Sequence, residues 1–459
     1  MGRKFNRSFD RRQVVKAGAA VAGVAATGRF ALAGAQESSP AASPASDLPI
    51  TGFSGIAEAT VSGPVEIEYW QYEYETKTTL VNELIPEFEA ANPGITVKHV
   101  NFPYDDFRQQ VAAAVQAGEG PDVLNVFYGW VPAYVQQQLL VALPAEYFPT
   151  EQIEADFFPV VQTGKINDAY YALPTAVRTL ALFYNKTILG EAGIEPPTTW
   201  EELVDAAIAT TVKDGENFSV VGITQDIGGQ AHSWWREALI RQNGSLPFQD
   251  ETLNRTLNWT SPEAIEAFTY VTDFLLTHQV TQTGFQTDGP TAFGSGVAAL
   301  HVDGSYRLGT LNSSFPDLDY GVVPLPSHKD KASFASYWAN TITRNAAEGD
   351  KLIASAKFID FLSSESVQSR WTPAIGELPA RTALASDPAL LEDETLAPFI
   401  ESLDYSYATF TINEADLRQA VLDAYDQVTL NGLDVESALT EAQDKIQAQY
   451  DEYWASVEG

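Results

Sequence analysis

The groups with most scope for chemistry in this 459-residue chain are five histidines (His99, His232, His278, His301 and His328) and 61 Asp and Glu; there is no cysteine. Without thiols, disulfide scaffolds, zinc–cysteine sites and thiol catalysis are excluded, and export to an oxidising compartment leaves nothing to oxidise. No histidine sits in a His-Glu-x-x-His or other paired ligand spacing, so no metal site is expected. There is no Gly-x-Ser-x-Gly nucleophile elbow and no Walker loop. These residue types ask for no cofactor and no metal, and favour a protein that binds over one that transforms.

The chain begins as an export signal would. SFDRRQVVK (8–16) places Arg11 and Arg12 ahead of an Ala/Gly-rich stretch of moderate hydrophobicity, AGAAVAGVAATGRFALAGA (17–35), which closes in a small-x-small site at 31–33 or 33–35. A charged start, an apolar middle and a small-residue end predict a signal over 1–35, and the twin arginine with a weak apolar core is of twin-arginine type. Arg29 interrupts the apolar run, which falls short of the roughly 18 residues a membrane span needs, so the mature protein is not expected to span a membrane. GAAVAGVAATG within it follows no strand and is therefore not a nucleotide loop. QESSPAASPASDLP (36–49) opens a predicted disordered tether over 36–61. No cysteine is there to carry a lipid. The expected location is periplasmic or at the cell surface, free or held by an uncleaved signal.

The whole chain has a net charge of −34. Residues 1–35 hold seven Lys or Arg and one Asp, so the rest carries 20 basic against 60 acidic groups, a net −40. A surface this acidic repels nucleic acid and anionic lipid and favours solubility.

What must position any site is an alternation of strands and helices. VEIEYW (65–70) alternates as a strand does. TTLVNELIPEFEAA (78–91) spaces Leu80, Val81, Leu84, Ile85 and Phe88 on one helical face, and Asn92-Pro93-Gly94 stops it. ITVKHVNF (95–102), DDFRQQVAAAVQAG (105–118), PDVLNVFY (121–128) and VPAYVQQQLLVALP (131–144) continue as strand, helix, strand, helix. This order predicts an open α/β sheet flanked by helices. YYALPTAV (170–177) and TLALFYN (179–185) read as two strands, and TWEELVDAAIAT (199–210) as a helix with Thr199 and Glu202 in a capping box. Strands are predicted at 219–224, 296–304 and 318–326, and helices at 233–244, 261–279, 350–364, 413–430 and 435–454. No internal repeat is present.

Several passages in this order carry a further signal: LVNELIPEFEAANPGITVKHV, GEGPDVLNVF, VQQQLLVALP, YYALPTAVRTLALFYNKTILGEAGIEPPTTWEEL, FGSGVAALHVDGSYRL, VVPLPS and FIDFLSSESVQSRWTPAIGELPAR. Together they resemble extracellular solute-binding protein family 1, whose members feed sugar-type ABC importers, over nearly all of 62–455. The resemblance implies a two-lobed α/β fold of the periplasmic-binding-protein type. Each lobe would be an open mixed sheet with helices, joined to the other by a multi-strand hinge. Lobe 1 would comprise 62–177 and about 327–376, and lobe 2 178–326 and about 377–459. The chain would cross between lobes near ALPTAVR, VVPLPS and IGELPAR, and Gly193, Pro196 and Pro197 would set a rigid turn ahead of the helix at 199.

The implied function is capture of a sugar or oligosaccharide by hinge closure and delivery to a permease, by a monomer that performs no catalysis and contacts no nucleic acid. Aromatic rings would stack on sugar C–H faces while polar side chains take the hydroxyls. Carried onto this chain, the family's contact positions fall on Gln71, Tyr72, Glu73, Tyr74, Tyr128, Trp130, Arg178, His232, Trp234, Trp235, Asp303, Ser305, Tyr306, Tyr337, Trp338, Asn340 and Trp371. Trp234 and Trp235 are adjacent on a helix and point about 100° apart, so at most one faces a cleft squarely. Arg178 reads either as a grip on a carboxylate or hydroxyls, or as half of an ion pair between lobes. Trp70 and Trp200 read as core. Two alternatives stay open: a non-sugar polar solute such as a sugar acid or glycerol phosphate type, and a glycan-active enzyme using Glu73 and Asp303 as its carboxylate pair.

Overall fold

The computed structural model describes residues 48–249 and 255–458, so the expected signal and the start of the expected tether lie outside the described residues. Strand β1 (Val65–Tyr72) pairs in parallel with β2 (Ile95–Phe102) and β3 (Val123–Phe127). Helices α1 (Glu75–Ala91) and α2 (Tyr104–Ala117) make the crossovers. The apolar stripe of α1 is buried as its spacing predicts, and α2 stops at Gly118, which is left-handed at φ 75°.

Next come β4 (Ala172–Asn185), β5 (Asn217–Ile223), β6 (Ala298–Gly304), β7 (Tyr320–Pro324) and β8 (Ser333–Thr343). The sheet runs β2-β1-β3-β8-β4-β6-β5, with Val212–Asp214 at its far edge. The two strands read at 170–177 and 179–185 are one. The first half of β4 is bonded to β8 and to the short strand Leu378–Pro379, and its second half to β6 and β7. Paired with β8 through Arg178 and with β6 and β7 beyond it, the chain stays extended, so β4 belongs to both halves of the sheet.

Other expectations need correction. The helix expected over 131–144 spans only Val131–Gln136. Gln138 takes a left-handed φ of 57°, and Leu140–Val141 then pair with β8, so ladder bonding wins over helix propensity. β8 itself is missing from the sequence reading because all of its residues are buried, which erases the in–out alternation that marks a half-buried strand. Part of the segment expected to be a disordered tether is folded. Gly52 and Phe53 donate backbone N–H bonds to Asp360 Oδ1 at 2.7 and 2.9 Å, and Phe53 and Ile56 are buried, so apolar side chains dock this part of the 36–61 segment.

Among the described residues the other helices of eight residues or more are α3 (Trp200–Thr210), α4 (Gln230–Gln242), α5 (Pro262–Leu276), α6 (Arg307–Ser314), α7 (Gly349–Leu362), α8 (Glu365–Ile375), α9 (Glu414–Thr429) and α10 (Val435–Glu458). The hydroxyls of Thr199 and Ser261 cap α3 and α5. Glu202 completes a variant box by accepting from Thr198 N–H rather than from Thr199. Helices α9 and α10 pack on each other and on α5.

Candidate binding site

Two segments distant in sequence, and a third close by, converge on one carboxylate. Arg178, midway along β4, bonds Glu377 Oε1 through Nε and Nη2. Lys77, in the first turn of α1, places Nζ 3.0 Å from the same oxygen, and Trp371 Nε1 on α8 donates to Oε2 at 2.8 Å. Arg178 Nη2 also donates to the Tyr72 hydroxyl at 3.3 Å, and its guanidinium lies 5.0 Å over the Tyr306 ring. Lys77, Glu377 and Arg178 are 2%, 3% and 8% exposed. Glu377 can reach this point because α8 ends at Gly376, left-handed at φ 86°, where a Cβ would lie 3.0 Å from Ser305 O. Burial alone would push the Glu377 carboxyl up, but Arg178 and Lys77 outweigh it and hold the group at about 2. Burial likewise opposes charge on Arg178, and Glu377 more than restores it.

Around this cluster stands a wall of rings. Trp338 on β8 is 4.1 Å from Tyr72 at the end of β1 and meets Trp130 edge-on at 5.4 Å. The Lys77 ammonium lies 5.2 to 6.0 Å from the rings of Tyr72, Tyr74, Trp338 and Trp371, within cation–π range. Phe127 at the end of β3 links the wall to α4. Its ring stacks with Trp234 at 6.1 Å, and Trp234 stacks in turn on Phe334 at 5.4 Å. The sequence leads one to expect flat rings bordering a groove. Here they close on one another, and each of these tryptophans is less than a tenth exposed.

Of the residues expected from sequence, the structure brings together Tyr72, Tyr74, Trp130, Arg178, Tyr306, Trp338 and Trp371, with Trp234 joined through Phe127. The others stand elsewhere. Trp235 turns away from Trp234 into the helical core, 6.2 Å from Phe274 and 5.9 Å from His232. Tyr128 touches Phe127 at 4.7 Å, but it bonds Thr409 O at 3.1 Å and stacks on Tyr337 at 5.1 Å. Asn340 spends its amide within the sheet, on Tyr69, Asn125 and Thr175. Gln71 bonds Asn101 at 3.0 Å. The Ser305 hydroxyl is buried with no partner among the described residues. Glu73 is exposed. Asp303 forms its own cluster with Arg307 Nε at 2.7 Å, His301 Nε2 at 3.1 Å and Gly304 N–H at 2.7 Å.

Sequence reasoning missed Lys77, Glu377, Phe127 and Phe334. Two signals were available. Lys77 heads the apolar stripe of α1, an odd place for an ammonium, and Glu377 sits in the IGELPAR passage already identified as a crossing.

The chemistry on offer is recognition. A glycosidase acid must keep its proton near neutrality. Burial raises the Asp303 carboxyl, but Arg307 and His301 pull it further down, well below the usual carboxylate range. Among the described residues no group of three or more His, Asp or Glu could hold a metal, and no helix is long and apolar enough to cross a membrane.

Residues 83–398 match the family model described as bacterial extracellular solute-binding protein. The chain belongs to that family. A binding protein of Brucella abortus strain 2308 is 25% identical over 371 residues, covering 76% of this chain and 88% of the relative. The maltotriose-binding protein of Pyrococcus abyssi is 24% identical over 350 residues, covering 75% and 73%. The fold is that of the cyclic alpha-maltosyl-1,6-maltose binding protein from Arthrobacter globiformis, with a TM-score of 0.74 at 21% identity over 85% of this chain and all of that one. The architecture is therefore two-lobed and α/β. As a member of this family, the protein is exported and binds solutes outside the cytoplasm.

Proposed function

We propose that this protein is the substrate-binding subunit of an ABC importer, that it captures a neutral sugar or oligosaccharide by hinge closure, and that it hands the solute to a membrane permease as a monomer. A twin-arginine-type signal over 1–35 would export it already folded. Lobe 1 would comprise 62–177 and about 327–376, and lobe 2 178–326 and about 377–459, with β4 as the principal shared strand. The P. abyssi relative, named for maltotriose, supports a carbohydrate.

The observation that carries this reading is the ring wall of Tyr72, Trp130, Trp338 and Trp371, linked to Trp234 through Phe127 and to Tyr306 through the polar group Arg178. Rigid rings bury sugar C–H faces at little entropic cost. With Nε and Nη2 of Arg178 spent on Glu377 and Tyr72, little of the guanidinium is left to grip a ligand carboxylate bidentately, which favours a neutral solute over a sugar acid. We read the mutual packing of the rings as a closed arrangement. A solute bridging both lobes would then shift the population by its differential contacts. Affinity in the micromolar range, about −8 kcal/mol, lies within reach of a few stacked rings and a hydrogen-bonded rim.

A thermal-shift panel of mono- and oligosaccharides, polyols, sugar acids and sugar phosphates tests the proposal. A ligand at 100 times its dissociation constant adds about 2.7 kcal/mol of stability, a shift that is easily read. We expect a neutral saccharide, maltotriose among the candidates, to raise the melting temperature, and Trp338→Ala and Tyr306→Ala each to weaken that response. A panel in which only sugar acids or phosphates respond would replace the neutral-sugar reading, and one with no response would remove the carbohydrate reading altogether.

A further inference from the structure

We propose that Glu377 is the positioning residue of solute capture: its carboxylate fixes the Trp371 indole, the Arg178 guanidinium and the Lys77 ammonium in the single arrangement that a solute meets. This rests on the carbohydrate-capture reading above and adds to it the residue through which the stacking ring and the polar group are held together.

The geometry leaves Glu377 few alternatives. Oε1 receives donors from two cations on separate elements, and Oε2 receives the indole N–H. The Trp371 ring cannot swing about its long axis without breaking that N–H bond. The Arg178 guanidinium cannot leave the Tyr306 ring without leaving the carboxylate. Lys77 and Arg178 are like charges in a buried space, and one anion between them turns their repulsion into a bridge linking α1, β4 and the end of α8. With the bridge gone, the two cations push apart and the ring cage around Lys77 loses its register.

A merely structural residue would lower stability and leave affinity alone, so the test separates the two. Calorimetric titration uses maltotriose as the first probe, or the tightest neutral saccharide of the panel if maltotriose is silent. We expect Glu377→Gln, which keeps the shape and loses the charge, to weaken binding by about tenfold or more, the loss of one well-made contact. Adding Lys77→Met to that variant removes the repelling partner and should recover part of the lost affinity. Glu237→Gln is the control: Glu237 is a buried carboxylate on α4 bonded to Thr409, outside this cluster, and its loss should lower the melting temperature with affinity unchanged. Should Glu377→Gln fail to fold, Trp371→Phe keeps an aromatic ring without the N–H and should still weaken binding several-fold. Binding by Glu377→Gln within twofold of wild type overturns the proposal while capture stands, as does an equal loss in Glu237→Gln. Silence of the wild-type protein toward every saccharide overturns capture first and this inference with it.

Discussion

Two buried carboxylates, Asp303 and Glu377, face the same problem and solve it from opposite directions. Each is nearly inaccessible, each is ringed by basic side chains, and each is held below its ordinary range against the pull of burial. Asp303 draws its partners from its own neighbourhood: His301 two residues before it on β6, Gly304 next to it and Arg307 one turn on in α6. Glu377 draws on Lys77, 300 residues earlier, and Arg178, 199 residues earlier. The first cluster stiffens one strand–helix corner. The second cross-links segments that lie far apart in the sequence. A local cluster survives any motion that moves the corner as a unit, whereas a long-range one must be made and broken if its segments move relative to each other.

Removing one carboxylate at a time gives the largest expected contrast. Glu377→Ala leaves two cations buried and unanswered, the situation that costs about 3–5 kcal/mol. Asp303→Ala should cost less, about 1–3 kcal/mol, because the Arg307 side chain is 19% exposed and can turn toward water. Urea unfolding with the slope held in common reads both values. Equal losses would erase the distinction between the clusters.

Acid sharpens the same contrast. The Glu377 carboxyl titrates at about 2 when folded and near its ordinary 4.5 when unfolded, so the unfolded chain binds the proton first. Its contribution is therefore complete above about pH 4.5 and drains away as pH falls toward 2, with a total of about 3 kcal/mol. Asp303 has the same sign, with its loss beginning near its ordinary value of 3.8. Wild-type stability should fall steeply below pH 4.5, and Glu377→Gln should show a flatter profile there. A variant profile parallel to wild type down to pH 3 would mean that Glu377 does not carry this linkage.

How far each cluster was legible follows from the same difference. The corner of Asp303 lies within FGSGVAALHVDGSYRL, one of the passages that carried the family resemblance, so a single stretch of sequence held both the residue and its partners. The sequence reads Arg178 as either a ligand grip or an ion-pair member and offers no partner for it, because spacing says nothing about residue 377. The α1 helix and the Trp234/Trp235 divergence were readable because helical periodicity is local. β8 was not, since a strand buried on both faces has no period of two, and the unity of β4 was hidden because it is imposed by four neighbouring strands rather than by its own residues. The closing of the rings on one another is a tertiary outcome that composition does not encode.

The smallest expected effect probes the local cluster from its far side. His301 joins Asp303 at Nε2 and Thr224 Oγ1 at Nδ1, 2.6 Å away, while its ring stacks on Phe293 at 5.5 Å. His301→Phe keeps the ring and gives up both hydrogen bonds. Asp303 retains Arg307 and the Gly304 N–H, so its charge stays answered, and the change should cost about 1 kcal/mol, one ordinary buried hydrogen bond net. The one link toward the bridge is Tyr306, which bonds Asp303 and lies under Arg178, and since Asp303 keeps that partner in the variant, saccharide affinity by calorimetry should match wild type. A tenfold loss of affinity in His301→Phe would mean that the corner and the bridge are coupled, and that the division between a local and a long-range cluster misdescribes how this protein holds its solute.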